Sequence, residues 1–126
     1  MATNLNDSYT VDGSANPVTL KVTVGNGQTG SIGVSIDGND VIKPGADDNG
    51  NYTDQCEFGI GTNQGLNGSI LTIPVAVTRI QDNVAATSVT VQLTGGPAAS
   101  NYPVMSANAA NKGDEINYLA VINFTN

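Results

Sequence analysis

Residues 17–36 read PVTLKVTVGNGQTGSIGVSI, and the alternation within them decides the fold class. Val18, Leu20, Val22 and Val24 are separated by Thr19, Lys21 and Thr23; Ile32, Val34 and Ile36 are separated by Gly33 and Ser35. Successive side chains of a β-strand point to opposite faces, so a period of two gives each segment one apolar and one polar face. The β-branched residues that dominate here also fit a pleated surface well. Gly25-Asn26-Gly27 lies between the two runs. Asn-Gly tolerates the positive φ values of a tight turn, so a hairpin is expected there.

The same pattern extends outward. Val89, Val91 and Leu93 alternate with Thr90 and Gln92, and Tyr118, Ala120, Ile122 and Phe124 share one face of the last segment. Leu71, Ile73, Val75 and Val77 do the same within residues 70–80, although Pro74 interrupts them. Proline has no N–H for a sheet ladder, so Pro74 is expected at an edge or a bulge, or at a bend that crosses between sheets. Asp37-Gly38, Lys43-Pro44-Gly45, Asn67-Gly68 and Gly95-Gly96-Pro97 punctuate the chain as turns. No segment has a helical apolar face; Ser106 to Lys112 offers at most one turn before Gly113. The expectation is one all-β domain over residues 1–126, an antiparallel β-sandwich of about seven or eight strands, Ig-like or jelly-roll-like.

Composition narrows the function. Only 12% of residues are charged and the net charge is −7, with Lys21, Lys43, Arg79 and Lys112 scattered along the chain. Without a basic stripe, neither nucleic-acid binding nor docking on an anionic membrane is expected. No apolar run reaches the length of a membrane span, and Met1 to Thr10 lack the basic and apolar regions of a signal peptide. No compartment follows from the sequence, which is compatible with a secreted protein or a component of an assembled particle. The single cysteine, Cys56, is read as a buried thiol. The chain has no histidine. That removes Ser-His-Asp and Cys-His catalysis and the usual general base at neutral pH. An enzyme is not expected, and no cofactor is required.

Three candidate sites follow. Residues 44–56 form an acidic, Asn-rich loop in which Asp47, Asp48, Asn49 and Asp54, with Glu57 after them, supply the oxygen ligands that calcium prefers. The spacing does not match an EF-hand, because Tyr52 and Phe58 stand where Gly and Glu are needed. Glycan binding would call on loop tyrosines, Tyr52 and Tyr102, for stacking; Tyr9 and Tyr118 fit core positions.

The third site is a surface. Leu119 and Val121 are apolar on the face opposite Tyr118 and Ala120, and Ile70 and Ile80 similarly spoil the outer face of their strand. A strand apolar on both faces is usually covered on both. The cover is expected to be the 97–113 loop or another protein chain. If the two strands are neighbours, their outer residues make one patch suited to assembly.

In strand pattern and composition the chain resembles Ig-like or jelly-roll accessory modules of microbial secreted and assembly proteins. That resemblance transfers no functional residue. The reading is a non-catalytic structural or protein-interaction module, with a protein partner or a homo-oligomer; the alternative is a calcium-dependent ligand- or glycan-binding module.

Overall fold

The computed structural model describes residues 3–41, 55–98 and 100–126. In chain order its elements are β1 (Asn4–Thr10), β2 (Pro17–Val24), β3 (Thr29–Ile32), β4 (Ser35–Ile36), β5 (Asn39–Asp40), β6 (Gln55–Thr62), α1 (Asn63–Leu66), β7 (Ile70–Thr78), β8 (Ala86–Thr94), β9 (Ser100–Asn101), β10 (Met105–Asn108) and β11 (Glu115–Thr125). Sheet A has six strands in the order β1-β11-β7-β4-β5, with β3 also on β7. Sheet B has five, β10-β8-β2-β6, with β9 also on β8.

The alternation of the sequence sets which residues face inward. Val18, Leu20 and Val22 of β2, Leu71, Ile73 and Val77 of β7, and Ala120 and Ile122 of β11 are all fully buried. They belong to one cluster that draws on both sheets. Burying a side chain such as Leu or Ile contributes roughly 1.5–3 kcal/mol, so this cluster is the dominant favourable term. Polar contacts pin the two sheets to each other. The Tyr118 hydroxyl lies 2.5 Å from Thr87 Oγ1, and Thr87 Oγ1 donates to the Ala107 carbonyl at 2.7 Å. Tyr118 therefore donates to Thr87, which joins β11 of sheet A to β8 and β10 of sheet B.

Several local expectations change. The pairing is not wholly antiparallel: β1 runs parallel to β11 from Asn4↔Leu119 to Thr10↔Thr125. The two strands lie at opposite ends of the chain, so no tight turn constrains their relative direction. Gly25-Asn26-Gly27 does form a turn with positive φ at Asn26 (61°) and Gly27 (71°), closed by Gln28 N–H to the Gly25 carbonyl at 3.3 Å. It is not a hairpin, however, because β2 lies in sheet B and β3 in sheet A. The turn carries the chain across the core. Asp37-Gly38 is the true two-residue hairpin, pairing Ile36 with Asn39.

Pro74 sits neither at an edge nor at a crossing, since β7 pairs with β11 along one side and with β3 and β4 along the other. Its effect falls on the partner strand. β3 and β4 share one register with β7, from Thr29↔Thr78 to Ile36↔Leu71, and the ladder lapses between them opposite Pro74. Gly33 N–H donates to the Pro74 carbonyl at 2.9 Å, but the reciprocal bond is missing because proline has no N–H. This lapse, and the two-residue ladders β5 and β9, account for a strand count above the expected one. Residues 106–108 are extended rather than helical, and among the described residues the one helical turn is α1, whose N-cap Thr62 accepts from Gly65 N–H at 3.0 Å.

Candidate functional site

The outer face of sheet A is built from the residues that alternate with the core. On β11 these are Asn117, Leu119, Val121 and Asn123; on β7 they are Ile70, Thr72, Pro74 and Ala76. The two strands are neighbours in antiparallel register, with Leu119↔Pro74, Asn117↔Ala76 and Val121↔Thr72. Leu119, Val121 and Ile70 are thereby gathered on one face, whereas Ile80, expected with them, lies beyond the end of β7 and donates its N–H to Gln28 Oε1. Leu119 is 39% exposed and Ile70 43% exposed. Asn4 and Asn6 of β1 border Leu119 and Val121 on one side, and Ser31 of β3 borders Ala76 on the other.

Within this patch lies a shallow depression of about 390 Å³ lined by Ser31, Gly33, Pro74, Ala76, Asn117 and Leu119, with Val75 and Tyr118 beneath. Its floor is low because Gly33 and Ala76 carry almost no side chain. Gly33 also allows the close approach of β3 to β7, since a Cβ there would lie 3.2 Å from Pro74 Cγ. Pro74 and Leu119, directly opposite each other, form the raised part. No acidic or basic side chain takes an outward position along β1, β3 or β7, and on β11 only Glu115 does, at one end. Asp40 of β5, paired with Ser35, and Asp37, whose Oδ1 accepts from Ile70 N–H at 2.9 Å, stand toward the opposite end.

Sheet B is different. Its outward positions are Thr19, Lys21 and Thr23 on β2, Ser88, Thr90 and Gln92 on β8, and Gln55 and Glu57 on β6. That is the ordinary polar exterior of an antiparallel sheet.

The described residues of the 97–113 segment do not cover the apolar face. Its strands β9 and β10 both pair with β8 and so extend sheet B instead. Tyr102 is buried at 8% exposure, and its hydroxyl donates to the Ser8 carbonyl at 2.9 Å, tying β1 to the edge of sheet B. A ring held this way offers no open face for a sugar. Burial, the largest cause, pushes its phenol up to about 12, with Asp7 and Tyr9 acting in the same direction and Ser100 against them. Of the residues read as calcium ligands, Asp47, Asp48, Asn49 and Asp54 lie outside the described residues, as does Tyr52. Glu57 is exposed on the outer face of sheet B, opposite Lys21. Among the described residues, no group of three or more acidic, Cys or His side chains is placed to hold a metal ion. Cys56 is buried.

Two side chains that the sequence reading passed over hold the loops at the ends of the sheets. Gln28, 3% exposed, donates through Nε2 to the carbonyls of Val84 and Ala86 at 2.8 and 3.0 Å. Its Oε1 accepts from Ile80 and Gln81 N–H at 2.8 and 3.1 Å. Asn63, fully buried, donates through Nδ2 to the carbonyls of Asn16 and Gly95, both at 2.9 Å, and accepts from Asp12 N–H. Arg79 serves the same end of the molecule as Gln28, donating to the carbonyls of Gln81, Asp82, Ala109 and Ala110. With its guanidinium spent on main-chain carbonyls, this cation acts as a loop brace. No family model, curated protein or solved structure matches the chain.

Proposed function

We propose that this chain is a non-catalytic structural or protein-interaction module, a β-sandwich of the broad Ig-like and jelly-roll group, that docks another protein through the outer face of sheet A. The observation that carries the reading is the antiparallel pairing of β7 with β11, which sets Leu119 beside Pro74, away from the charged groups at the margins of the face. A single outward apolar residue needs no explanation, whereas a contiguous apolar patch marks a site of contact. Two sheets sharing one buried cluster support the sandwich. The lack of any histidine supports a non-catalytic role.

The test is photo-cross-linking in the source cells, with the photoreactive residue at position 119 and, as a control, at position 90 on the outer face of sheet B. Protein adducts are expected from position 119 and not from position 90. Equal yields from both positions, or none from 119, would overturn the reading.

A further inference from the structure

The outer face of sheet A points to a definite occupant. Resting on the docking reading above, we propose that the partner is a second copy of this chain, related by a two-fold axis, with the two outer faces of sheet A stacked on each other.

Charge comes first. Each copy carries a net charge of −7, so contact through most of the surface sets like charges against each other. The outer face of sheet A is the exception: from Asn117 to Thr125 and from Ile70 to Thr78, no outward residue is charged. Two copies can meet there without bringing carboxylates together at the centre, because among the described residues Glu115, Asp37 and Asp40 stand at its margins. A basic partner, by contrast, finds among the described residues no carboxylate at the centre of this face to pair with, only Glu115, Asp37 and Asp40 at its margins.

Shape comes second. A C2 interface needs one surface that complements itself. Here a raised apolar side chain, Leu119, stands beside a depression of about 390 Å³ floored by Gly33 and Ala76. In a two-fold stack Leu119 of each copy fills the hollow of the other. The hollow and the side chain that fills it are thus both provided by one face.

Size comes third. Four strand lines at a spacing of about 4.8 Å and a rise of about 3.4 Å per residue over some nine residues give a face of roughly 19 by 30 Å. Stacking two such faces removes about 1,100 Å² from water, just above the ~1,000 Å² that separates specific interfaces from incidental contacts. The dimer is therefore expected to be reversible and dependent on concentration.

Salt distinguishes this partner from others. Screening relieves the overall repulsion between two acidic copies, so the dimer strengthens as salt rises. A complex held by the acid surface and a basic partner weakens instead.

The experiment is light scattering of the full chain over a range of concentration at low and at high salt. The mass is expected to rise from 12.8 kDa to twice that value, at lower concentration in high salt. Ala76→Glu, which sets a carboxylate on the floor of the hollow, should weaken association at least tenfold, while Thr90→Glu on sheet B leaves it unchanged. Both positions face outward, and circular dichroism would show that each variant stays folded. Leu119→Cys should give a covalent dimer with a short bis-maleimide, which spans the ~10 Å between stacked sheets that a direct disulfide cannot, and Thr90→Cys should not.

A monomer at every concentration and salt, with no covalent dimer from Leu119→Cys, overturns the second-copy inference. If position 119 then cross-links a different protein in cells, docking through this face still stands and only the occupant is wrong. If it cross-links nothing, both fall.

Discussion

Replacing Gln28 with leucine removes a buried amide while keeping nearly the same volume. The lost groups are two donors to the Val84 and Ala86 carbonyls and an acceptor for the Ile80 and Gln81 N–H groups, at 2.8 to 3.1 Å. A buried polar group left without its partner costs about 1–3 kcal/mol. The segment carrying Ile80, Gln81 and Val84 lies near the surface, so water replaces part of what is lost and the low end of that range applies to each group. The expected loss is about 3–4 kcal/mol, a large share of the roughly 5–15 kcal/mol that holds a domain of this size together. Gln28→Glu separates hydrogen bonding from packing. Its carboxylate still accepts from Ile80 and Gln81 but repels the two carbonyls, so it should be less stable at pH 8 than at pH 5, where protonation restores a donor. Urea unfolding followed by circular dichroism measures both variants, with the midpoint lower and the m-value unchanged. Amide exchange at Ile80 and Gln81 should quicken. A loss below about 1 kcal/mol, with those amides still protected, would refute the claim that Gln28 holds the 79–86 loop.

Other outcomes follow from the same geometry. Tyr102 is favoured in its neutral form by burial, with a folded value of about 12 against the ordinary 10. Stability is then fully present below pH 10 and is lost as pH rises from 10 through 12, by about 2–3 kcal/mol in all; Tyr102→Phe should flatten that part of the urea midpoint against pH. Gly95 has φ of +103°, and a Cβ there would collide with the Pro17 carbonyl oxygen. Gly95→Ala should cost at least about 3 kcal/mol or abolish folding, while Gly13→Ala, with open space around it, should be near neutral in the same thermal melt. Asp7 takes an inward position on edge strand β1, opposite Ile122, yet is exposed. A charge so placed keeps an edge from pairing with another chain, so Asp7→Val should raise turbidity on concentration while changing the unfolding free energy by no more than about 0.5–1 kcal/mol.

What the sequence made legible was what depends on neighbours along the chain. The inward residues of β2, β7, β8 and β11 follow from alternation alone, and so does the two-sided apolar character of β11. The conformation at Asn26-Gly27 was legible because positive φ is a local property of those residues. Whether the flanking strands pair is not local, and here they part to different sheets. Pro74 shows the same division. Its missing donor is certain from the sequence, but the lapse it causes falls on the partner, between β3 and β4, and not within its own strand. Gln28 and Asn63 gave no signal, because a polar residue becomes a buried brace only through carbonyls and amides distant in sequence. The patch at Leu119 lay between these cases: the outward residues could be named, and their union depended on β7 lying next to β11.

That union also bears on how strongly the face can bind. Association costs the freedom of every side chain it immobilises, roughly 0.5–1.5 kcal/mol for each flexible one. Pro74 and Ala76 have almost none to lose, and Val121 and Thr72 are β-branched and stiff at χ1. Only Leu119 and Ile70 give up appreciable freedom among the apolar residues. The backbone beneath them is already ordered, since β7 and β11 are each flanked by strands on both sides. A modest area can therefore yield a measurable affinity, because little of it is spent on ordering. The same reasoning locates the sensitivity of the contact. Enlarging a floor residue such as Ala76 removes the hollow while leaving the ordering cost unchanged, so it should harm association more than trimming Leu119 to alanine, which gives up contact area but frees no backbone.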